Sequence, residues 1–305
     1  MTTFHLRFAA LLIPCLALLA ACNPNRNTEE KPTAMLDTVS LSSKNFALAY
    51  QDGNKIVATS IDTMKQISFG GATNPAISPD GNKLAYTVTD SAEHKSIWIA
   101  DMENKSQLQL QVKGTDYDNA MWSADGNLVA FSVLNDKKLW KVGLIKTDNT
   151  GYVELGNAIQ TNLYSPTWKT GNEIIAHDLV NLYTFDISGK LTDTQPLAGL
   201  IGKDFTIASG SRFFYTSDGK KLVFNARSAG QDEAVYILDL INNKPEQISP
   251  KGMSVPYVFV TADDRIFYSG AEKSSAAERK IYVSDWSGNI KTLVNKGTNP
   301  TGALK

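Results

Sequence analysis

Cysteine is almost absent from this chain, which holds two in 305 residues, at Cys15 and Cys22. Cys15 lies in an N-terminal apolar run that we predict to be removed, so Cys22 would be the only cysteine of the mature protein. A disulfide framework, a cysteine-based metal site and a catalytic thiol are therefore excluded. Histidine is also rare, with three in the whole chain, and we predict neither a metal site nor another cofactor.

An excess of charge of one sign is missing as well. The chain has 30 lysine and arginine residues against 31 aspartate and glutamate residues, a formal net charge of −1. This balance creates no overall field that would attract nucleic acid, so we expect no nucleic-acid partner. Hydrophobic residues make up 42% of the chain and aromatic residues 9%, which is enough to fill a core and argues against disorder as the main state.

The N-terminal apolar run, residues 8–21, has 14 residues without a charge, whereas a membrane-spanning helix needs about 20. The run follows Arg7 and ends in small residues, which is typical of the hydrophobic region of a secretory signal peptide. We therefore predict a signal peptide over residues 1–21.

The last three residues of the signal peptide and the residue that follows read LAAC, residues 19–22, which resembles a bacterial lipobox. The alternative is an ordinary signal peptide followed by an incidental cysteine. The resemblance implies a diacylglyceryl thioether on Cys22 and a third acyl chain on its amine, and several acyl chains anchor a protein stably where one does not. Asn23 stands where an aspartate would favour the inner membrane, so we expect the outer membrane, facing the periplasm. We predict that residues 22–41 form a lipidated, flexible tether.

The rest of the chain is a repeat in which an apolar strand ends in a polar turn and a second apolar strand follows. Five copies read SPDGNKLAY, SADGNLVAF, KTGNEIIAH, TSDGKKLVF and TADDRIFY, and SSKNFALAY at residues 42–50 supplies a sixth. Spacings of 45, 46, 47 and 45 positions separate the turn residues Gly81, Gly126, Asn172, Gly219 and Asp264. A period in the mid-forties with several strands in each unit is typical of a β-propeller.

Each unit continues with another alternating strand, a turn and a short strand, which makes four strands per unit. We therefore predict an all-β fold, a six-bladed β-propeller of four-stranded blades over residues 42–305. The C-terminal GTNPTGALK, residues 297–305, resembles GATNPAIS at residues 71–78, the innermost strand of the second unit. We expect the C-terminal strand to complete the first blade and close the ring. The alternative is that residues 36–41 form that innermost strand.

The SPDG-type turn, the aromatic residue three positions before its aspartate at Trp122 and Tyr215, and the strand that follows resemble the propeller repeat of the TolB family. The resemblance covers residues 42–305 and implies the fold. It does not imply one function, because such blades occur in binding proteins, lyases and peptidases alike. TolB also has an N-terminal α/β domain that contacts its partners. We expect only the tether at that place here, so TolB's role in the Tol system does not carry over.

The recurring Asp-Gly pairs could be acid or metal sites, but turn chemistry explains them better. Asp80, Asp125 and Asp218 can accept hydrogen bonds from the turn backbone, and glycine takes a positive φ. His177 aligns with an aromatic residue in every other unit, so we interpret it as a core residue rather than a ligand or base. His94 lies in a charged loop and is expected to be solvated.

The sequence contains few of the motifs that are typical of enzyme active sites. It contains neither G-x-S-x-G nor a glycine-rich loop before a helix, so a serine hydrolase elbow and a phosphate cradle are absent. We predict no catalytic residues. A pair of carboxylates for glycoside hydrolysis stays open, because the separation that decides is spatial.

A binding surface is the remaining candidate. In a propeller, the loops before the first strand and between the second and third strands meet at one end of the channel, and loop residues often make binding contacts. We predict a binding rim that contains Tyr117, Asp118, Tyr164, Arg212, Arg227 and Tyr257; the alternative is an ordinary solvated rim. The long connection over residues 195–211 holds Leu200 and Ile201, which either cover the channel as a lid or pack beside the fourth blade.

Together these patterns predict a lipid-anchored envelope propeller that acts as a binding or scaffold protein for protein or other envelope partners, and that contacts the membrane through the lipid on Cys22. The alternative is a carbohydrate-active enzyme, a lyase or glycosidase, or a glycan-binding module that uses the channel mouth. A cluster of carboxylates at that mouth would favour the enzyme, and aromatic and polar side chains would favour binding.

Overall fold

The computed structural model describes residues 47–60, 66–169, 172–272 and 278–303. Internal contacts divide the chain into Met1–Met35 and Leu36–Lys305, and every described residue belongs to the second unit. The predicted signal peptide, Cys22 and the tether lie outside the described residues. In the described part, 25 β-strands and one four-residue helix confirm the all-β prediction. No helix among these residues is long and apolar enough to cross a bilayer.

The first three units form antiparallel sheets, the blades of the propeller. Blade 1 takes from this part of the chain β1 (Leu48–Asp52), β2 (Lys55–Thr59) and β3 (Gln66–Gly70). Blade 2 consists of β4 (Ala72–Ile77), β5 (Lys83–Thr89), β6 (Lys95–Asp101) and β7 (Ser106–Gln109). Blade 3 consists of β8 (Asp116–Trp122), β9 (Leu128–Leu134), β10 (Trp140–Lys146) and β11 (Val153–Leu155).

The last three units continue the pattern. Blade 4 consists of β12 (Tyr164–Trp168), β13 (Glu173–His177), β14 (Asn181–Asp186) and β15 (Leu191–Pro196). After α1 (Leu197–Leu200), blade 5 consists of β16 (Phe205–Thr206), β17 (Phe213–Tyr215), β18 (Lys221–Ser228), β19 (Glu233–Asp239) and β20 (Lys244–Gln247). Blade 6 consists of β21 (Met253–Val260), β22 (Ile266–Glu272), β23 (Lys280–Ser284) and β24 (Ile290–Val294), and β25 (Thr298–Gly302) ends the described chain. Blade 5 differs from the others because β16 and β17 both pair with β18, so its first strand is in two pieces.

The C-terminal strand closes the ring, as predicted. β25 pairs antiparallel with β1, with Leu48 opposite Gly302 and Gln51 opposite Thr298. The innermost strands β25, β4, β8 and β12 contact one another in succession, and β21 contacts both blade 5 and β25. The alternative first strand, residues 36–41, lies outside the described residues. Closure leaves no unpaired edge at the innermost position of blade 1.

The hydrophobic core lies between the blades. Because each blade packs with both faces against a neighbour, its middle strands are nearly continuous apolar runs, such as LVAFSVL in β9. The aromatic positions predicted in the second strands are at most 3% exposed at Tyr86, Phe131, His177, Phe224 and Tyr268. These low exposures confirm that His177 is part of the core. At the outer edge of blade 2, by contrast, every residue of β7 is exposed.

The Asp-Gly pairs form the turn between the first and second strands of a blade. Ser123 Oγ donates to Asp125 Oδ1 at 2.6 Å, and the backbone N–H of Asn127 donates to the same oxygen at 3.1 Å. The glycine between them has a φ of 72°. Asp80 and Asp218 accept equivalent hydrogen bonds, so these aspartates stabilise turns.

Candidate functional site

The innermost strands share a β-bulge. The pairing of β4 with β5 shifts register between Thr73 and Ala76, and similar shifts occur where β8, β12, β21 and β25 pair with their neighbours. A positive φ between 48° and 56° marks four of these bulges, at Asn74, Asn119, Ser165 and Asn299. A bulge bends its strand and turns side chains in a new direction, and here it points them toward other blades.

Asn74, Asn119 and Ser165 stand four positions before the first residue of the turn, and the same position in blades 5 and 6 is Arg212 and Tyr257. Asn299 in β25 matches Asn74 through the repeated sequence TNP. We call these six positions the polar belt: Asn74, Asn119, Ser165, Arg212, Tyr257 and Asn299. Asn299 Nδ2 donates to Asn74 Oδ1 at 3.1 Å, and Asn74 Nδ2 in turn donates to Asp118 Oδ1. The belt therefore links blades 1, 2 and 3 around the channel by side-chain hydrogen bonds.

Arg212 carries the only formal charge at the six belt positions, and its side chain is 4% exposed. Its Nη2 donates to Asn119 Oδ1 at 2.8 Å, and its Nη1 lies 3.6 Å from the Met121 sulfur. The guanidinium carbon stands 4.3 Å from the centre of the Tyr257 ring, a cation–π contact. Asn119 belongs to blade 3 and Arg212 to blade 5, so the guanidinium reaches across the channel in front of blade 4.

Asp118 carries a carboxylate and directly precedes Asn119, the hydrogen-bond partner of Arg212, in the chain. It accepts hydrogen bonds from Asn74 Nδ2 and, at 2.8 Å, from the backbone N–H of Asn119. Burial raises the pKa of Asp118, although the Asn119 N–H, Lys95 and Arg212 act in the opposite direction. Burial also raises the pKa of Tyr257. Asp118 and Arg212 therefore lie in the same part of the channel without an ion pair between them within 4 Å.

Between the belt and the first turns, the channel widens into a cavity of about 290 Å³, which we call the channel mouth. All six blades line it, and its larger apolar and aromatic side chains come from Met121, Trp122, Trp168, Phe214, Tyr215 and Phe259. The indole N–H of Trp122 donates to the carbonyl of Ala76 at 2.7 Å, and that of Trp168 to the carbonyl of Met121 at 3.1 Å. Each tryptophan is thus held by the preceding blade.

Asp118, Arg212 and Tyr257 of the predicted rim come together in the channel. The structure places them at and beside the belt, below the channel mouth, rather than on exposed loops. The mouth itself lies at the end of the channel that carries the first turns, opposite to the end where the rim was expected.

The other three predicted rim residues lie apart from one another. Tyr117 is 7% exposed, and its hydroxyl donates to the carbonyl of Gly114 at 2.9 Å, so it belongs to the core between blades 2 and 3. Tyr164 packs against His177 with ring centres 6.0 Å apart. Arg227 is exposed and stands opposite Glu233 in the pairing of β18 with β19. Partner binding by these residues stays a prediction.

His177 is fully buried and makes two hydrogen bonds. Its Nδ1 accepts the backbone N–H of Leu179 at 3.3 Å, so Nε2 carries the proton and donates to the carbonyl of Ser211 at 2.9 Å. Burial lowers the pKa of His177 to about 4, which keeps the ring neutral. In the long connection, Ile201 is buried with Leu182 between blades 4 and 5, and Leu200 packs against the same cluster. Leu200 and Ile201 therefore pack beside the blade and do not form a lid.

Sequence reasoning missed two features of the channel and the core. Trp168 occupies the same repeat position as Trp122 and Tyr215, and this recurrence of aromatic residues before the turn was the available signal for the mouth. Lys141 is 1% exposed, its ammonium donates to the carbonyls of Ile159 and Thr161, and burial lowers its pKa. No sequence signal distinguishes this lysine from a solvated one.

No protein-family model matches the chain, and no curated protein matches its sequence. Solved structures do match its fold. TolB from Acinetobacter baumannii is 16% identical with a TM-score of 0.65, and the match covers 87% of this chain and 68% of that one. A presumed TolB from Agrobacterium tumefaciens is 16% identical with a TM-score of 0.60, covering 85% of this chain and 94% of that one.

The propeller fold is also found in a protein of different function. The β-propeller domain of the trilobed protease from Pyrococcus furiosus is 15% identical with a TM-score of 0.54, and the match covers 83% of this chain and 84% of that one. Identities this low establish similarity of fold and leave function open. The six blades, their turns and the structural matches together show that this chain has the TolB-like six-bladed β-propeller fold.

Proposed function

We propose that this protein is a lipid-anchored binding protein of the bacterial cell envelope, whose channel mouth receives an apolar segment of a protein partner. The observation that carries the proposal is the cavity of about 290 Å³ on the channel axis, lined by tryptophan, phenylalanine, tyrosine and methionine. Its volume is at the lower end for ligand pockets, which suits one or two side chains of a partner. Aromatic side chains dominate the binding energy at protein interfaces.

The charge of the mouth supports binding rather than glycoside hydrolysis. Among the lining residues that the structure describes, Asp264 is the one carboxylate, and Ser217 donates to it through its N–H at 2.9 Å and its hydroxyl at 2.6 Å. Glycoside hydrolysis normally uses two carboxyl groups that flank the scissile bond. Within the described ranges, no three histidine, cysteine, aspartate or glutamate side chains are placed to hold a metal ion.

The anchor is the second part of the proposal, and the sequence supports it. Residues 19–22 resemble a lipobox, and residues 22–41 follow as a polar segment with two prolines. A segment of 20 residues spans at most about 70 Å when fully extended. The tether would therefore let the propeller reach periplasmic partners from its anchor in the outer membrane.

A matched pair of substitutions tests the proposed face. Ala262 is exposed and lines the mouth, whereas Ala229 is exposed in the turn between β18 and β19, at the opposite end of the channel. We expect Ala262→Glu to reduce the proteins captured by crosslinking and pull-down from envelopes, with the anchored protein in place, because it adds a charge and bulk to an apolar mouth. Ala229→Glu should leave capture unchanged. Loss of capture in Ala229→Glu alone would refute the choice of face.

A further inference from the structure

We infer that the guanidinium of Arg212 binds the C-terminal carboxylate of a partner chain that enters the channel mouth end-on. The inference rests on the function proposed above and specifies the chemistry of the partner. It starts from a buried cation whose observed contacts are the amide oxygen of Asn119, the thioether of Met121 and the ring of Tyr257. All three are neutral.

A buried charge is costly unless an opposite charge compensates it. No carboxylate among the described residues lies within 4 Å of the Arg212 guanidinium. An incoming carboxylate would place an opposite charge in direct contact with the guanidinium, and the planar fork of arginine matches a carboxylate through two parallel hydrogen bonds. The Arg212 side chain is 4% exposed, and a charge pair formed at such low exposure is stronger than one formed in water.

Asp118 is the internal alternative as a counter-ion, and its contacts direct it elsewhere. Its Oδ1 accepts from Asn74 Nδ2 and from the backbone N–H of Asn119. Burial raises the pKa of Asp118, although the nearby charges of Lys95 and Arg212 act in the opposite direction. The Nζ of Lys95 lies 3.8 Å from Asp116 Oδ1. This ion pair is separate from the contacts that Arg212 makes in the channel.

The position of Met121 connects Arg212 with the mouth. Its side chain lines the mouth, and its sulfur contacts Nη1 of Arg212, so it forms the partition between the cavity and the cation. Methionine has a flexible side chain that adapts to a ligand. Met121 stands two residues before Ser123, the first turn residue, which corresponds to about 7 Å along a strand.

The depth of Arg212 below the mouth favours the end of a partner chain over an acidic side chain as the source of the carboxylate. A segment that lies across the mouth would have to reach the guanidinium with one aspartate or glutamate side chain, past the level of Met121. A chain end that enters along the axis gains about 3.3 Å with each residue and brings its carboxylate to the cation. Its last side chains would then contact Trp168, Phe214 and Phe259 of the mouth.

Two pools of N-acetylated hexapeptides with randomised sequences test the inference, one ending in a free carboxylate and the other in a carboxamide. The full mature chain is immobilised, and mass spectrometry measures the peptides that it retains. We expect the wild type to enrich the carboxylate pool over the carboxamide pool by at least about tenfold, as one charged hydrogen-bonded contact allows. Equal retention of the two pools, or retention of neither, would overturn the inference.

Variants assign the effect to Arg212. Arg212→Met should abolish the preference for the carboxylate pool, whereas Lys244→Met removes an exposed cation from the outermost strand of blade 5, away from the mouth, and should preserve it. Arg212→Lys keeps the charge without the fork and should retain a reduced preference. If Arg212→Met does not fold, the wild-type comparison and Arg212→Lys still decide. A purely structural Arg212 would change stability and leave the preference intact.

A third pool, amidated and carrying one internal glutamate, separates the two sources of a carboxylate. If the wild type retains it as well as the free-acid pool, the carboxylate comes from a side chain and the chain-end inference is wrong. Failure of all pools, combined with loss of envelope capture in Ala262→Glu, would remove this inference and leave the proposed function standing.

Discussion

Replacing His177 by phenylalanine should destabilise the propeller at neutral pH, although the two rings are similar in volume. A volume-conserving swap in a core usually costs little. Here it would leave the carbonyl of Ser211 and the N–H of Leu179 without the partners that the imidazole provides. Because Ser211 and His177 are both fully buried, water cannot replace the bond to the carbonyl. We expect a loss of about 1–3 kcal/mol in the free energy of unfolding at pH 7.5.

The pH dependence of that loss is the sharper part of the prediction. Burial lowers the pKa of His177 in the folded protein to about 4, below the value of 6.5 for an exposed histidine. Below pH 6.5 the unfolded chain therefore binds a proton that the folded protein excludes, and the wild type loses stability until the pH reaches about 4. Between pH 7 and pH 5 this contribution amounts to about 2 kcal/mol. The phenylalanine variant does not have it.

The difference in stability between wild type and His177→Phe should therefore shrink by about 2 kcal/mol from pH 7 to pH 5. Urea unfolding curves followed by tryptophan fluorescence measure it, and the carboxylates that titrate in both proteins cancel in the difference. Phe224→Leu, at the same repeat position of the next blade, is the control and should show a difference that does not vary with pH. A pH-independent difference for His177→Phe would refute a neutral, buried imidazole.

Three further predictions concern the anchor, the closure and the buried lysine. Cys22→Ala should yield a protein without the acyl mass shift and without membrane fractionation, and unchanged mass and fractionation would contradict lipidation. Ending the chain before Thr298 removes β25 and should lower the free energy of unfolding by several kcal/mol, because the hydrogen bonds and the burial of this strand disappear together. A truncated chain with the original melting temperature would show that β25 is dispensable. Lys141→Met leaves the carbonyls of Ile159 and Thr161 without a donor, so we expect a loss of about 2 kcal/mol in chemical denaturation, and equal stability would mean that water replaces the ammonium.

The blades could be predicted because their signals are local and repeat six times. A turn such as Ser123–Asp125–Asn127 needs only hydrogen bonds between close neighbours in the chain, and these recur at Asp80 and Asp218. The closure was also predictable, because residues 297–305 resemble residues 71–78 and occupy the equivalent place beside β1. The split first strand of blade 5 was not predictable, since the connection before it has no counterpart in the other units.

The contacts of the site could not be predicted in the same way. The sequence around Arg212 is typical of a loop, and this suggested an exposed rim, but the β-bulges bring its side chain into the channel. Its hydrogen bond to Asn119 joins residues 93 positions apart, from blades that are not neighbours. The pairing of strands decides which side chains face the axis, and a shift of one residue at a bulge reverses that assignment.

The sequence by itself determined the repeat, the number of blades, the turns, the aromatic core positions and the C-terminal closure. Each of these depends on residues that are close in the chain or on a pattern that returns at a constant period. The tertiary structure alone decided that Asp118, Arg212 and Tyr257 meet below an apolar mouth, because ring closure brings residues of different blades together. The energy of a buried charge depends on such distant neighbours, and so the candidate site belongs to the fold rather than to any one repeat.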